Sequence, residues 1–241
     1  MEFTGERHRH LKAIILAGGK GTRLKPYTYV LPKPLAPVGE RPILAILIGQ
    51  LKKAGIRDFV FCVNHMAELI MAYFGTGEKF GVRIEYSMED TPLGTIAPLK
   101  LIKDLPTDFL VMNGDLLTDM NFMDIYDYHL NARALVTVGA YRRKVNIDFG
   151  VMEVKDDMVT GFREKPQQNY CVSMGVYVFN KKVLDYVPDS RAFGFDDLML
   201  KLLQENQAIN SYPFSGYWLD IGRPEDFDQA NQDIEAGLFG L

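Results

Sequence analysis

A glycine turn that directly follows a short apolar strand constrains the fold of this chain more than any other feature. The run Ala13–Ala17 is too short for an ordinary helix and is bounded by glycine, so it predicts a buried parallel strand. Gly18, Gly19 and Gly21 follow, and residues without a Cβ can turn their backbone N–H groups towards a phosphate chain. A strand that ends in such a turn is typical of α/β folds that bind phosphate.

Two cations follow the turn on a proline-rich segment. Arg23 offers a planar fork to phosphate oxygens, and Lys33 offers a point charge on a flexible stem. Prolines at positions 26, 32, 34 and 37 restrict the backbone around both side chains. The segment therefore predicts a binding loop for a nucleoside triphosphate. It is neither the dinucleotide pattern G-x-G-x-x-G nor a Walker A loop, and the glycines alone would also suit an ordinary strand-to-helix turn.

Strand-like and helix-like segments alternate through the first half of the chain. The apolar spacing predicts strands at 59–63, 82–86 and 109–112, and helices at 43–54, 67–74 and 123–131, with a short helix capped by Thr95. This order predicts a doubly wound parallel sheet with a ligand crevice at the carboxyl ends of its strands. From Ala134 onward the chain becomes mostly β, and helices return at 196–204 and 224–236 around a strand at 210–214.

Length and composition limit the class of protein. A chain of 241 residues that is 47% hydrophobic suits one α/β domain. The net charge of −4 provides no basic field for nucleic acid, and no stretch approaches the roughly 20 apolar residues of a membrane span. Cys62 and Cys171 lie in apolar strand-like runs, which predicts buried, inert thiols in a cytoplasmic protein rather than a disulfide or a metal site.

Two aspartates from distant parts of the chain are candidate metal ligands. Asp115 follows an apolar strand in the triplet Asn113-Gly114-Asp115, and Asp220 lies in Trp218-Leu219-Asp220-Ile221-Gly222 before a predicted helix. Mg²⁺ usually takes one or two carboxylates together with substrate phosphates, so the pair predicts a magnesium site. Both aspartates would also suit ordinary turns at a strand end and a helix start.

The whole phrase GGKGTRLKPYT, followed by PKP with Lys33 ten positions after Arg23, resembles the signature of the sugar nucleotidyltransferases, also called NDP-sugar pyrophosphorylases. The resemblance implies a Rossmann-like mixed sheet flanked by helices. It also implies an enzyme that condenses a nucleoside triphosphate with a sugar 1-phosphate, with Mg²⁺ held by Asp115 and Asp220. We expect a flexible tail at 1–10 and one domain at 11–241, divided into a nucleotide half at about 11–133 and a sugar-phosphate half at 134–241.

The resemblance assigns roles to further residues. The motif Glu164-Lys165-Pro166 is similar to one that places its lysine on the sugar phosphate and its glutamate on sugar hydroxyls, although a solvated charge cluster is the plain alternative. Lys165 joins Arg23, Lys33, Asp115 and Asp220 in the candidate catalytic set. The other nucleotide-binding candidates are Leu16, Ala17, Gly18, Gly19, Gly21, Thr22, Gly94, Thr95 and Asn113, and the other sugar-binding candidates are Gly150, Ser173 and Gly175. For the base, the resemblance implies contact with Leu16, Ala17 and the Glu89–Thr95 loop. Many relatives have Asn-Ala-Gly in place of Ser173-Met174-Gly175, which leaves the sugar open.

The phrases PLGT, LDIGRP and LPKPLAP resemble most the mannose-1-phosphate guanylyltransferase-like branch, here without a left-handed β-helix domain. The favoured substrates are therefore GTP and mannose 1-phosphate or a related hexose or heptose 1-phosphate. UTP or dTTP with a glucose-type phosphate is the alternative. A non-catalytic regulatory subunit that binds sugar nucleotides is disfavoured because all five charged candidates are present, and a cytidylyl- or molybdopterin-type transferase is disfavoured by the K-P-Y-T and E-K-P phrases. We expect neither nucleic acid nor membrane as a partner, and a homo-oligomer is left open.

Overall fold

The computed structural model describes residues 11–89, 91–189 and 191–238, so the tail expected at 1–10 lies outside the described residues. The strands are β1 (Lys12–Leu16), β2 (Pro37–Val38), β3 (Arg41–Pro42), β4 (Asp58–Val63), β5 (Arg83–Met88), β6 (Asp108–Asn113), β7 (Leu116–Thr118), β8 (Val136–Asn146), β9 (Val151–Lys155), β10 (Met158–Arg163), β11 (Gln167–Asn180), β12 (Ile209–Phe214) and β13 (Trp218–Asp220). The α-helices are α1 (Ile43–Lys53), α2 (Ala67–Phe74), α3 (Phe122–Ala132), α4 (Phe195–Gln204) and α5 (Pro224–Glu235).

Seven strands form one mixed sheet in the order β12-β8-β11-β6-β1-β4-β5. β1 pairs in parallel with β4 and β6, and β4 pairs in parallel with β5. β11 is antiparallel to both β6 and β8. The mixed sheet implied by the resemblance is confirmed, and so is the parallel arrangement expected of the four strands in the first half of the chain. The antiparallel strand β11 belongs to the second half, where a hairpin rather than a helix connects β8 to β11, and a parallel return would need a crossover connection.

The central strands are buried on both faces of the sheet. Ile15 packs in a cluster with α1, α2 and α3, whereas the neighbouring Ile14 packs in a second cluster with α4 on the other face. On that second face a 3₁₀ helix at Ala97–Leu101 replaces the helix expected to begin at Thr95. Thr95 does not cap it, because its hydroxyl accepts a hydrogen bond of 2.9 Å from the Phe195 N–H.

A smaller apolar cluster holds the glycine-rich segment against the last helix. Leu24 and Ile43 pack there with Ile221 and Phe227, and the Tyr27 ring lies 4.9 Å from that of Phe227. The helix α5 therefore supports both the segment that carries Arg23 and Lys33 and the turn that follows β13.

The two cysteines differ in environment. Cys62 is buried in β4, as expected, and burial raises the pKa of its thiol to about 12. Cys171 is exposed, so the prediction of two buried thiols is wrong for this residue. Cys171 lies in the part of β11 that extends beyond the core and pairs only with β8. Within the described ranges, no helix combines the length and the apolar character needed to cross a membrane.

Candidate active site

The carboxyl ends of β1 and β6 bring the glycine turn and the first aspartate together. Leu16 and Asn113 are partners in the parallel register, and the Gly114 N–H donates to the Leu16 carbonyl at 3.0 Å. A Cβ on Gly114 would lie 3.1 Å from that carbonyl oxygen, so a glycine fits this approach better than any other residue. Asp115 therefore begins its turn directly beside the glycine turn.

A cavity of about 470 Å³ opens at this edge, a size typical of small-ligand sites. Nine of the predicted nucleotide-binding residues line it: Leu16, Ala17, Gly18, Gly19, Lys33, Gly94, Thr95, Asn113 and Asp115. Gly21, Thr22 and Arg23 are not among the lining residues. Glu89 and Pro92, from the loop that is a candidate for contact with the base, also line the cavity. The sequence analysis did not select the other lining residues, Lys20, Pro34, Cys62, Asn64, Pro98 and Gly114.

Gly21 positions the cationic segment rather than lining the cavity. Its φ is +58°, and the Thr28 hydroxyl donates to its carbonyl at 2.8 Å. A Cβ on Gly21 would lie 3.0 Å from the Cβ of Lys33, so this glycine lets the turn close against the lysine. The Arg23 side chain is exposed, and its guanidinium lies next to Gly222. A Cβ on Gly222 would be 3.7 Å from the guanidinium carbon.

Lys33 and Asp115 form an ion pair at the mouth of the glycine turn, with only 11% and 20% of their side chains exposed. The lysine contacts the Oδ2 atom of the aspartate. The second carboxylate oxygen, Oδ1, is buried and has no hydrogen-bond partner among the described residues. A buried oxygen without a partner is costly unless a ligand or cation satisfies it.

Asp220 reaches the same place from the other end of the chain. β13 pairs with β7 so that Asp220 lies opposite Leu116, and the Ile221 N–H donates to the Asp115 carbonyl at 3.1 Å. Burial raises the pKa of Asp220, the charge of Asp115 raises it further, and the cations Lys33 and Arg23 lower it by less. Burial is thus the main cause of the raised pKa of Asp220, and the neighbouring negative charge of Asp115 adds to it.

This arrangement fits a divalent cation bound together with phosphates. Among the described residues no group of three or more His, Cys, Asp or Glu side chains could hold a metal by itself. Two aspartates and an unpartnered oxygen suit Mg²⁺, which completes its coordination with phosphate oxygens and water.

Glu89 lines the cavity beside the glycine turn. The Leu93 N–H donates to its Oε2 at 2.8 Å, and the Asn64 side-chain amide donates to its carbonyl at 3.0 Å. A Cβ on Gly18 would lie 3.4 Å from its Oε1, so the carboxylate borders the glycine turn. Burial raises the pKa of Glu89, and the Leu93 hydrogen bond partly opposes the shift. The Glu89–Thr95 loop is a base-binding candidate in the sequence, but this glutamate belongs to no motif that would single it out.

Only one of the sugar-binding candidates lies against the cavity. Gly175 has φ of +72°, and a Cβ there would lie 2.6 Å from the Nδ2 atom of Asn113, which lines the cavity. Ser173 instead bonds within its own segment, donating to the Tyr177 hydroxyl at 3.2 Å and accepting from the Gly175 N–H at 3.3 Å. Trp218, which the sequence analysis did not select, fixes this turn by donating to the Met174 carbonyl at 3.0 Å.

Gly150, Glu164 and Lys165 are exposed, lie directly before β9 and directly after β10, and are not among the cavity-lining residues. Gly150 fits under the Phe162 ring and beside the Glu164 carboxylate. A Cβ on Gly150 would lie 2.4 Å from the Phe162 ring and 3.2 Å from Oε2 of Glu164. Lys165 has φ of +42°, a conformation that costs a non-glycine residue free energy and that clusters at ligand-binding sites.

A family model for nucleotidyl transferases matches residues 12–237. The mannose-1-phosphate guanyltransferase of Debaryomyces hansenii is 34% identical over 227 residues, which cover 90% of this chain and 62% of the relative. The mannose-1-phosphate guanyltransferase of Saccharomyces cerevisiae is 33% identical over 228 residues, which cover 90% of this chain and 63% of the relative. The chain thus spans less than two thirds of the length of these curated relatives.

Two groups of solved structures share the fold. A putative glucose-1-phosphate thymidylyltransferase from Bacillus anthracis superposes with a TM-score of 0.73 at 27% identity, covering 92% of this chain and 94% of that one. HddC from Yersinia pseudotuberculosis, solved in complex with GMP-PN, superposes with a TM-score of 0.72 at 24% identity. The match covers 93% of this chain and 100% of the HddC chain. The second likeness is one of fold alone.

Proposed function

The chain belongs to the nucleotidyl transferase family, and from that premise we propose that it transfers a nucleotidyl group from a nucleoside triphosphate to a sugar 1-phosphate and releases pyrophosphate. The observation that carries the proposal is the meeting of Asp115, Asp220 and Lys33 beside a glycine turn that lines a ligand-sized cavity. A regulatory subunit without catalysis would have no need of two half-buried carboxylates that meet beside the glycine turn.

In the proposed reaction an oxygen of the sugar phosphate attacks the α-phosphorus in line. A bond forms between that oxygen and the α-phosphorus, and the bond from the α-phosphorus to the oxygen bridging to the β-phosphorus breaks. The glycine turn, Lys33 and Arg23 hold the triphosphate and offset the charge that develops on pyrophosphate. No general base is needed because the attacking phosphate is anionic near pH 7. Positioning and charge neutralisation therefore supply the catalysis.

Asp115 and Asp220 would hold Mg²⁺, which when bound neutralises charge on the reacting phosphate oxygens. Lys33 has a second role in this proposal. Its contact with Oδ2 of Asp115 leaves Oδ1 free to face the cation, since that oxygen is the buried one without a hydrogen-bond partner among the described residues. In the other half of the site, Lys165 takes the phosphate of the sugar 1-phosphate and Glu164 its hydroxyls.

We favour GTP as the nucleotide because a carboxylate, that of Glu89, lines the cavity. A carboxylate is an acceptor only, and guanine presents two adjacent donors, N1–H and N2–H, on one edge. Glu89 lines the cavity and its Oε1 borders the glycine turn, while Oε2 is oriented by Leu93. The relatives named mannose-1-phosphate guanyltransferase favour mannose 1-phosphate or a related hexose or heptose as the acceptor. UTP or dTTP with a glucose-type phosphate is the competing pair.

The substitution Glu89→Gln tests this base assignment. The Leu93 N–H would keep the amide oxygen, which turns the NH₂ group towards the two donors of guanine. Losing a hydrogen bond to a charged group costs about 1.5–3 kcal/mol, so kcat/KM for GTP should fall about 10- to 150-fold. Glu85→Gln is the matched control, because Glu85 is 56% exposed and pairs with Lys12 on the surface. An unchanged kcat/KM for GTP in Glu89→Gln would contradict guanine recognition by this residue.

We also infer the wider setting of the enzyme. Residues 11–133 form the nucleotide half and 134–241 the sugar-phosphate half of one domain. The two free cysteines, Cys62 and Cys171, suit the reducing cytoplasm, and the net charge of −4 argues against nucleic acid as a partner.

A further inference from the structure

The residues from 142 to 173 form a β-arm that leaves the core. The far half of β8 pairs with the near half of β11, and the hairpin of β9 and β10 extends from their end. No residue of this arm is buried, in a stretch that the structure describes throughout, whereas Ala140 and Met174 at its two ends are buried in the body. An isolated two-stranded β-structure is marginally stable in water unless something packs on it.

The hairpin of the arm has one apolar face and one charged face. Val154 is paired with Val159 and Met152 with Phe162, and partners in antiparallel register point to the same side of the hairpin. On the opposite side Glu153 forms an ion pair of 3.2 Å with Arg163.

The apolar face is as exposed as the charged one. Its four side chains, Met152, Val154, Val159 and Phe162, are 58%, 60%, 59% and 62% exposed. An alternation of apolar and polar residues normally buries the apolar side. This hairpin has the alternation without the cover, so its sequence matches a face that packs against something.

We propose that this face is a dimer interface in which the hairpin of one copy packs on the same hairpin of a second copy. A two-fold contact places the same patch on both sides, and an apolar patch is complementary to itself. The arm carries six basic and five acidic side chains, so two arms bring nearly balanced charge together although the whole chain has a net charge of −4. A strongly acidic or basic partner would gain no complementarity from such an arm.

The area of the face agrees with a pair of copies. Phe162 offers on the order of 100 Å² of apolar surface, and Met152, Val154 and Val159 each offer on the order of 50 Å². Phe149, which is 78% exposed next to the hairpin, adds on the order of 150 Å². Two copies would then bury on the order of 800 Å² of apolar surface, and with the polar residues around the face the total is close to the roughly 1,000 Å² expected of a specific interface.

The interface would also steady part of the active site. β10 ends at Arg163, and Glu164 and Lys165 follow at once. Packing of the hairpin against a second copy would fix the base of the segment that holds Lys165 at φ of +42°. This consequence rests on the proposed function, which assigns Lys165 to the sugar phosphate, whereas the dimer itself does not.

The test is the mass of the full chain in solution, measured by light scattering over a range of concentrations. We expect about twice the monomer mass of 27.3 kDa at tens of micromolar. The double variant Val154→Glu with Val159→Lys should have the monomer mass. Because the two positions are cross-strand partners, the new charges attract each other and the hairpin can keep its pairing.

The matched control places the same two charges on another exposed apolar surface. Leu200 and Leu203 of α4 are 60% and 61% exposed, so Leu200→Glu with Leu203→Lys should remain a dimer. If the charged hairpin variant fails to fold, Val154→Thr with Val159→Thr keeps β-branched side chains and should still weaken the dimer at least 10-fold. Amides 151–165 should exchange hydrogen more slowly in the unsubstituted protein than in the monomeric variant.

Three results would overturn the proposal. The first is a monomer at every concentration. If the hairpin amides of that monomer were protected from exchange, the arm would fold onto its own chain. The second is a dimer in both hairpin variants, which would place the contact elsewhere. The third is a dimer whose hairpin amides exchange as fast as those of the variant. Mass and exchange need no substrate, so failure of the proposed enzyme activity would be a separate finding.

Discussion

Gly175→Ala is the substitution whose consequences the structure specifies most closely. Gly175 lies where β11 shifts register, with φ of +72°, and its N–H donates to the Ser173 hydroxyl at 3.3 Å. A Cβ would lie 2.6 Å from Nδ2 of Asn113 and 3.3 Å from Cδ1 of Leu116. The first contact is too short to persist, so Asn113 would have to leave its position at the cavity wall.

The magnitude follows from three effects. The left-handed conformation costs an alanine about 1–2 kcal/mol. Forcing Asn113 away from its preferred rotamer costs about 0.5–1.5 kcal/mol. The lower entropy of the unfolded alanine chain returns about 0.4–1 kcal/mol. The free energy of unfolding should therefore fall by about 0.5–3 kcal/mol, which lowers Tm by about 1–12 °C for a domain of this size.

Thermal unfolding of the purified variant measures the effect, with Gly49→Ala as the control. Gly49 lies inside α1 with nothing within 4 Å of its added Cβ, so the same substitution should raise the free energy of unfolding by about 0.5–1 kcal/mol. Displacement of Asn113 should also lower turnover on the order of 10- to 100-fold. A Gly175→Ala protein with unchanged Tm would refute the reasoning from φ and contact distance.

The remaining predictions concern the charged groups. Asp115→Asn should lower turnover by about 100-fold or more, or about 2.7 kcal/mol, because the proposed cation loses a charged ligand; near-normal turnover in a protein with an unchanged circular dichroism spectrum would contradict the metal assignment. Lys165→Ala should raise KM for the sugar 1-phosphate and leave KM for the triphosphate unchanged, with Lys155→Ala on the same arm as a neutral control; the reverse pattern would contradict the division into two halves. Because burial and Asp115 raise the pKa of Asp220, the carboxyl holds its proton more tightly in the folded state, and the protein loses stability as pH rises from the ordinary aspartate range through that raised pKa. Asp220→Asn lacks this loss, so in EDTA at pH 7 its Tm should exceed that of the unsubstituted protein, and an equal or lower Tm would show that the carboxylates do not repel each other.

The parts of the fold that depend on local pattern could be predicted from the sequence. β1 and its glycine turn follow from an apolar run and three glycines, and α2 begins and ends at the predicted residues, 67 and 74. Because parallel strands end at one edge of a sheet, the sequence also predicts that Asp115 faces the turn. The structure adds the contact of Asp115 with Lys33.

The parts that depend on distant contacts could not be predicted in this way. The direction of β11 depends on what connects it to β8, and the apolar pattern of a strand is the same in either direction. Cys171 lies in an apolar run, yet its strand has left the body of the protein. The Glu89–Thr95 loop is a candidate in the sequence, but Glu89 stands out within it only because Asn64, from a distant segment, and Leu93, from the same loop, hold it at the cavity.

The central claim is that this chain joins a nucleoside triphosphate to a sugar 1-phosphate. The most direct test is pyrophosphate release from GTP, UTP, dTTP, ATP and CTP, each with mannose, glucose, galactose, N-acetylglucosamine and heptose 1-phosphates, in Mg²⁺ and in EDTA. We predict one preferred pair, GTP with mannose 1-phosphate or a related hexose or heptose 1-phosphate, and no release in EDTA. Absence of release from every pair, with a sugar nucleotide still raising Tm, would contradict the claim and indicate a binding protein without catalysis.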